Sequence, residues 1–186
     1  MTRLLPLLLL SLAACGDTDP RYLMASAPVT EVSRVSLRVA TLEIRQVTLP
    51  AYANDDLILR EGADGALTPI EGALWADTPA RAMPQLLADR LSATTTAQVA
   101  AEPWPLAQPA QVEVDVRVSQ MASRADGKLH LAGQFAVSSF DQVVRERIVP
   151  FAIAVPLAAD TPAGIAAASG RAVDQLAGQI AASLAR

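Results

Sequence analysis

The stretch Val112-Glu113-Val114-Asp115-Val116-Arg117-Val118 decides the fold of this chain, because valine alternates with a charged residue at every step. Successive side chains of a β-strand point to opposite faces, so a period of two places all the valines on one face. The charged residues then share the other face, which water can solvate. The stretch therefore predicts a strand in a sheet with one buried and one solvated face.

The residues that follow predict two further strands and an antiparallel meander. Asp126-Gly127 is a turn signal. The apolar face then resumes at alternate positions, which are Leu129, Leu131, Gly133, Phe135 and Val137. A third strand is predicted from Val143 to Val155. Pro150 lies within it and lacks the N–H that a ladder needs, so we expect a bulge or an edge position there.

The residues upstream predict a long strand, a hairpin and a short strand. Apolar residues alternate from Val35 to Leu49, which predicts one strand that ends at Pro50. The phase of the alternation breaks twice along this stretch, so we expect a bulge near Val47. Two apolar segments flank the turn signal Ala63-Asp64-Gly65 and predict a hairpin, and residues 98–101 predict a short strand.

Two helices are also predicted. Thr78-Pro79 begins a helix over residues 79–93, and Pro84 indicates that it either starts near Met83 or kinks there. The closing helix begins at Thr161-Pro162 and carries one apolar stripe. The stripe consists of Ile165, Ser169, Ala172, Val173, Leu176, Ile180 and Leu184. Its polar face lacks the Lys and Arg of membrane-surface helices, so we expect it to pack on the sheet.

The first fifteen residues have the layout of a lipoprotein secretion signal. Arg3 supplies a positive charge, and residues 4–12 form an apolar run that is too short for a transmembrane helix of about 20 residues. Leu12-Ala13-Ala14-Cys15 resembles the bacterial lipobox, whose cysteine is diacylated and becomes the first residue after cleavage. The alternative is an ordinary secretory signal that happens to contain a cysteine.

These features divide the chain into three parts. We predict a signal peptide over residues 1–14, a short lipidated tether over 15–20 and one domain over 21–186. An Asp directly after the lipidated cysteine tends to mean retention at the inner membrane. Here Gly16 takes that place and Asp17 follows. We therefore expect the periplasmic face of the outer membrane, with the inner membrane as the alternative.

The composition excludes several classes of protein. A hydrophobic content of 52% and a charged content of 18% argue against a disordered chain. A net charge of −4 without a basic stripe is unsuited to nucleic acid. The single cysteine cannot form an internal disulfide. The sequence also lacks the nucleophile elbow, the P-loop, the zinc-protease motif and the dinucleotide fingerprint.

No set of residues predicts catalysis. His130 is the only histidine, and it is expected to face solvent because its neighbours on the strand face inward. Asp55-Asp56, Asp64 and Asp77 lie near turns or a helix start, where aspartate is favoured for local reasons. We therefore predict that the protein is not an enzyme and has no catalytic residue, metal ligand or cofactor.

A family resemblance extends over nearly the whole chain. The sequence reads Ile44-x-x-Val47-x-Leu49-Pro50-x-Tyr52, then Leu57-Ile58-x-Arg60, then Trp75-Ala76-Asp77 and a helix ending in Leu87-Ala88-Asp89-x-Leu91. Tyr22-Leu23 follows soon after the cysteine, and an alanine-rich helix closes the chain. This pattern resembles the ABC-type transport auxiliary lipoproteins, typified by the paraquat-inducible protein C lipoprotein. Pro79 and Pro84 depart from the usual Trp-Ala-acidic-Pro-Leu pattern of that family.

The resemblance implies a fold and a function. The implied fold is α/β, a single domain with a mixed, largely antiparallel sheet flanked by helices. Members are periplasm-facing lipoproteins that work with an MCE-domain inner-membrane protein, which forms a lipid-carrying tunnel, and often with ABC transporter subunits. Such systems are thought to move phospholipids between membranes and to support envelope integrity. The resemblance also suggests ring-like homo-oligomers that dock on the end of the tunnel.

Four residues are candidates for contact with this partner. Pro50 and Tyr52 stand among polar residues in a loop, and Arg60 and Trp75 belong to the family pattern. Tyr52 could equally cover the edge of the core, and Trp75 suits a core position. Two other functions stay open: a lipid-binding carrier with its own apolar pocket, and a structural lipoprotein that plugs an outer-membrane protein.

The lipobox predicts the outcome of removing the thiol. We expect the Cys15→Ser variant to keep its fold but to be soluble or uncleaved and mislocalised, because no acyl chain can be attached. Metabolic labelling with palmitate measures the loss of acylation, and membrane fractionation measures the change of location, each against the unsubstituted chain. A Cys15→Ser variant that reached the outer membrane normally would contradict the anchor.

Overall fold

An eight-stranded mixed sheet and two helices make up the fold. The structure is a computed structural model that describes residues 19–28 and 33–185. The strands are β1 (Arg21–Tyr22), β2 (Thr41–Thr48), β3 (Leu57–Glu61), β4 (Leu67–Trp75), β5 (Gln98–Ala101), β6 (Val112–Ser123), β7 (Lys128–Ser138) and β8 (Arg147–Pro156). The helices are α1 (Pro79–Thr94) and α2 (Pro162–Leu184), and a 3-10 turn spans Ala51–Ala53.

Strand β6 is the centre of the sheet. One of its edges pairs antiparallel with β7, and β7 pairs in turn with β8, which is the predicted meander. Its other edge pairs in parallel with β2 and, farther along, with β3 at Arg60 and Ser123. The α/β fold with a mixed sheet is therefore confirmed.

The two helices cover one face of the sheet. The valines of the alternating stretch in β6 are buried, and so are Leu42 and Ile44 of β2. Both helices contact the sheet and each other on this side. The charged residues of β6 lie on the opposite face, as the alternation predicts. Among the described residues, no helix has the length and hydropathy that a membrane crossing requires.

Two groups of connections lie at opposite ends of the sheet. The turns at residues 62–66 and 124–127 and the loop at 157–161 lie where β3, β6 and β8 end, and we call this end the turn pole. Residues 108–111 and 139–146 lie where β6 begins and β7 ends, and we call this end the loop pole. This polarity follows from the register, because β3 and β8 both run in the direction of β6.

Most of the predicted elements are confirmed. The hairpin forms around Gly65, which has a φ of 83°, and the β6–β7 turn around Gly127, which has a φ of 74°. These are left-handed conformations that glycine adopts without a Cβ penalty. Residues 98–101 form β5, and Pro150 lies on β8, which pairs only with β7 among the described strands and is an edge. The closing helix packs on β7 and β8, as expected.

Helix α1 starts at Pro79 and continues through Pro84, so the start near Met83 is wrong. Pro84 lacks the N–H that would bond the carbonyl of Ala80, which costs about 3 kcal/mol in a helix interior. Burial of apolar side chains against the sheet offsets this cost, since a fully buried Leu or Met contributes about 1.5–3 kcal/mol. The fully buried side chains of this helix are Met83, Leu87 and Leu91.

The predicted strand from Val35 to Leu49 is wrong in its extent. Val35 and Leu37 form isolated bridges to Thr95 and Ala185, and the regular strand covers only Thr41–Thr48. The expected bulge is present, because the register of β2 with β6 shifts between Ile44 and Val47.

The last strand of the meander begins at Arg147, so a start at Val143 is also wrong. Side-chain hydrogen bonds close a loop there instead. The N–H of Val143 donates to Ser139 Oγ at 3.1 Å, and the N–H of Ser139 donates to Glu146 Oε1 at 3.0 Å. These bonds take backbone groups that a longer ladder would need.

Strand β1 was not predicted, and it ties the N-terminal segment to the body. The N–H of Leu74 donates to the carbonyl of Pro20, and the N–H of Ala76 donates to that of Tyr22. The segment then passes closely over α2, where the Ala25 carbonyl meets Gly170.

The close approach at Gly170 predicts that alanine substitution has opposite effects on stability at two glycines of α2, Gly170 and Gly178. Alanine normally stabilises a helix by up to about 1 kcal/mol over glycine. A Cβ at Gly170 would overlap the Ala25 carbonyl oxygen, whereas a Cβ at Gly178 meets nothing within 4 Å. We expect Gly170→Ala to lower the free energy of unfolding by about 1–3 kcal/mol, as overpacking does.

The matched Gly178→Ala variant should raise the free energy of unfolding. Urea unfolding of both variants and of the unsubstituted chain measures the two effects. Equal stabilisation by the two substitutions would contradict the packing of residues 23–26 on α2.

Candidate functional site

The loop at residues 50–56 is held against β6. Pro50 follows the end of β2 and precedes the 3-10 turn, which begins at Ala51. The phenol oxygen of Tyr52 accepts a hydrogen bond from the N–H of Met121 at 3.3 Å, while 37% of this residue remains exposed. The bond fixes one end of the ring and leaves part of it open to a partner.

Trp75 lies beneath this loop and not on the surface. The residue is 5% exposed, and with Tyr52 and Ile165 it lines an apolar cavity of about 30 Å³. Ligand pockets usually measure about 300–1,000 Å³, so this cavity suits one or two waters at most. In the isolated chain Trp75 therefore packs the core and supports the loop from below.

Arg60 lies at the turn pole, among paired charges. Its guanidinium is 3.5 Å from Asp160 Oδ2. The next residue, Glu61, accepts hydrogen bonds from Arg124 Nε at 2.8 Å and from the N–H of Ala125 at 3.0 Å. The Ala125 N–H, followed by the Arg124 guanidinium, holds the pKa of the Glu61 carboxyl below its ordinary value. These pairs join the β3–β4 hairpin to the β6–β7 turn and to the loop before α2.

The structure therefore brings Pro50, Tyr52 and Trp75 together and places Arg60 at the turn pole. The contact role of these four residues stays a prediction. The aspartates have the local partners that turns provide. Asp64 accepts from the N–H of Ala66, and the carboxyl groups of Asp55 and Asp77 accept from the N–H groups that follow them.

His130 lies on the solvated face of β7. Its Nε2 is 2.8 Å from Asp126 Oδ2, and the side chain is partly exposed. This hydrogen bond, together with the N–H of Lys128, lowers the pKa of the Asp126 carboxyl. The pair closes the β6–β7 turn.

A charged cluster on the solvated face was not predicted from the sequence. Arg45 lies between two carboxylates, at 3.0 Å from Glu113 and 3.4 Å from Glu102. Glu43 is only 7% exposed and accepts a bond from the backbone of Trp104. Burial, followed by the nearby Glu113, raises the pKa of the Glu43 carboxyl. The cluster fastens the loop after β5 onto the sheet.

A cleft at the loop pole was also missed. It has a volume of about 580 Å³ and lies between residues 108–111 and 139–146. Three carboxylates line it, those of Glu113, Asp141 and Glu146. At its rim Phe140 is fully exposed. The available signal was an aromatic residue in the polar run Ser138-Ser139-Phe140-Asp141-Gln142, which the predicted strand boundary did not use.

Comparison with known proteins identifies the family. Residues 22–181 match the family model of the ABC-type transport auxiliary lipoprotein component. The chain belongs to this family. It is a family of transport auxiliary lipoproteins and not a known enzyme family, and it implies a membrane-anchored location in the cell envelope. The match begins after Cys15, which lies outside the described residues, so lipidation there stays a prediction.

Two solved structures with TM-scores above 0.6 share the fold of this auxiliary lipoprotein. An uncharacterized protein is 18% identical and aligns with a TM-score of 0.68, over 82% of this chain and 100% of its own. A Xanthomonas campestris protein of the family DUF330 is 15% identical, with a TM-score of 0.65, over 87% of this chain and 91% of its own. A PelC dodecamer from Paraburkholderia phytofirmans is 11% identical and aligns with a TM-score of 0.47, over 84% and 96%. No curated protein matches the chain.

The Glu61 pair of this auxiliary lipoprotein predicts a pH dependence of stability. Because its pKa is lower in the folded state, Glu61 stabilises the fold above its ordinary pKa of about 4.3, and this contribution is lost as the pH falls through the folded pKa. We expect Glu61→Gln to be less stable than the unsubstituted chain at pH 7 and to lose less stability on acidification. Urea unfolding at several pH values between 3 and 7 measures this difference, and parallel curves for the two chains would contradict it.

Proposed function

We propose that this auxiliary lipoprotein is a non-enzymatic subunit of an MCE/ABC-type system that moves phospholipids between membranes. In this proposal, acyl chains on Cys15 anchor it to the periplasmic face of the outer membrane, and its body docks on the tunnel of an MCE-domain inner-membrane protein. The match to the transport auxiliary family over residues 22–181 carries the proposal. Docking as a homo-oligomeric ring, together with ABC transporter subunits, belongs to the same proposal.

The exposed part of Tyr52 supports docking at the 50–56 loop. A side chain that is already held in place loses less conformational entropy when a partner binds it. Tyr52 has this property, because Met121 fixes its phenol oxygen and Trp75 packs in the same region. Tyrosine is also enriched among the residues that contribute most to binding. Arg60, the fourth candidate, lies at the turn pole and is paired with Asp160, so docking in this proposal rests on the 50–56 loop and not on Arg60.

A carrier with its own lipid pocket has less support. The apolar cavity beside Tyr52 measures about 30 Å³, and the larger cleft at the loop pole is open and includes three carboxylates in its lining. A phospholipid needs an apolar pocket, and ligand pockets start at about 300 Å³. Native mass spectrometry of the delipidated body would detect a carrier through co-purified phospholipid.

Capture of the MCE-domain protein from membranes tests the docking proposal. We expect the double variant Pro50→Ala, Tyr52→Ala to reduce capture by at least about tenfold, since a residue of this kind contributes about 2 kcal/mol or more when it is central to an interface. Phe140→Ala is the matched control, because it also removes an exposed aromatic ring but at the loop pole, away from the 50–56 loop. Thermal unfolding of each variant checks that the fold is retained.

The outcomes separate the docking site from the function. Capture that survives the double variant but is lost with Phe140→Ala would move the contact to the loop pole. Failure of the unsubstituted protein to capture any MCE-domain protein would contradict the proposed function itself.

A further inference from the structure

We infer that the turn pole faces the membrane and that the loop pole points away from it. The inference rests on the proposed lipidation of Cys15 and deepens it by naming the surface that meets the lipid headgroups. It comes from the direction in which the N-terminal segment enters the sheet.

Strand β1 fixes this direction. It runs parallel to β4, with Arg21 beside Leu74 and Tyr22 beside Trp75. Strand β4 starts at the β3–β4 turn and runs away from the turn pole. The chain before Arg21 must therefore come from the side of the turn pole.

Polar contacts hold this entry point in place. The guanidinium of Arg21 donates to the carbonyl of Trp75 at 3.2 Å and lies 3.8 Å from Asp56. Asp19 lies beside Gly72, where a Cβ would be 3.7 Å from Asp19 Oδ1. The path from Asp19 to Tyr22 is thus set by the body, so the distance from Asp19 to Cys15 is limited by the length of chain between them.

The length of the tether decides which pole can meet the membrane. Three residues separate Asp19 from Cys15, so the Cα atoms of these two residues are four steps apart, and at about 3.5 Å per step the span is at most about 14 Å. Arg21 pairs with Leu74, which pairs in turn with Leu57. Arg60 pairs with Ser123 on a parallel strand, so Leu57, three residues earlier, lies at the level of Gln120. Arg21 is therefore also near the level of Gln120. The distance along β3 from Leu57 to the β3–β4 turn is about 16 Å, at about 3.3 Å per residue. Asp19 lies closer to the turn pole than Leu57 does, so its own distance to that turn is shorter.

The loop pole is out of reach. From Gln120 back to the start of β6 at Val112 is about 26 Å along the strand, and Asp19 lies farther from that end than Arg21 does. A tether of about 14 Å cannot bring acyl chains on Cys15 to that end of the molecule. The membrane must therefore lie beside the turn pole.

The chemistry of the turn pole fits contact with headgroups without insertion. Two of its ion pairs join Arg60 to Asp160 and Glu61 to Arg124. Such a surface is polar and has no excess of positive charge to hold it on anionic lipid. Membrane attachment then comes from the acyl chains, and the body contributes only its orientation. The fully exposed Phe140 at the loop pole is presented to the periplasm.

Quenching by headgroup-labelled lipid tests the orientation. The chain has one cysteine, which lipidation blocks, so a single introduced cysteine provides a unique site for a fluorophore. Ala63→Cys and Ala125→Cys place the label at the turn pole, and Phe140→Cys places it at the loop pole. The full lipidated protein is reconstituted into phosphatidylcholine vesicles with and without a nitroxide on the lipid headgroup. We expect both turn-pole labels to be quenched several-fold more than the label at position 140.

A longer tether is the matched control. A Gly-Ser insert of about 20 residues after Cys15 spans about 25 Å on average and should reduce the difference between the poles. Similar or reversed quenching in protein that floats with the vesicles would overturn the orientation while leaving the anchor intact. Protein that does not float would overturn the anchor and the orientation together, whereas capture of the MCE-domain protein tests the transport function separately.

Discussion

The structure depends on one constraint: strand β6 must bury one face and pair along both edges. Its alternating valines lie under the two helices, while its charged residues face solvent. A slip of one residue would move every valine to the solvated face. Strand β6 is also long enough to pair with β2 and β3 in succession on one edge and with β7 on the other. The register of this one strand therefore aligns both halves of the chain and sets the two poles.

The second organising feature is the close approach of the N-terminal segment to the helices. Helix α2 is rich in alanine and glycine, and at Gly170 the lack of a side chain lets the backbone of Ala25 reach the helix surface. Ala27 donates its N–H to Asp174 of α2 and accepts from Arg90 of α1. Small residues on α2 thus allow the segment that leads to the proposed anchor to pack against the folded body.

Charges on the described surface serve mainly to hold loops and turns. Arg45 fastens the loop after β5, Glu61 joins two turns, and Asp126 pairs with His130. Such pairs are partly solvated and contribute modestly to stability, but they hold connections in defined positions. Two exposed aromatic residues, Tyr52 and Phe140 beside its cleft, lie in different parts of the molecule.

The sequence by itself determined the elements that arise between near neighbours: the alternation of β6 and β7, the glycine turns at residues 65 and 127, and the Thr-Pro starts of both helices. It also carried enough of the family pattern to indicate the family. Only the tertiary structure decided that β1 pairs with β4, that Glu43 is buried and that residues 139–146 form a loop. The physical reason is distance along the chain. The pairing of Arg21 with Leu74 depends on groups 53 residues apart, and two residues of strand have no periodicity to reveal it.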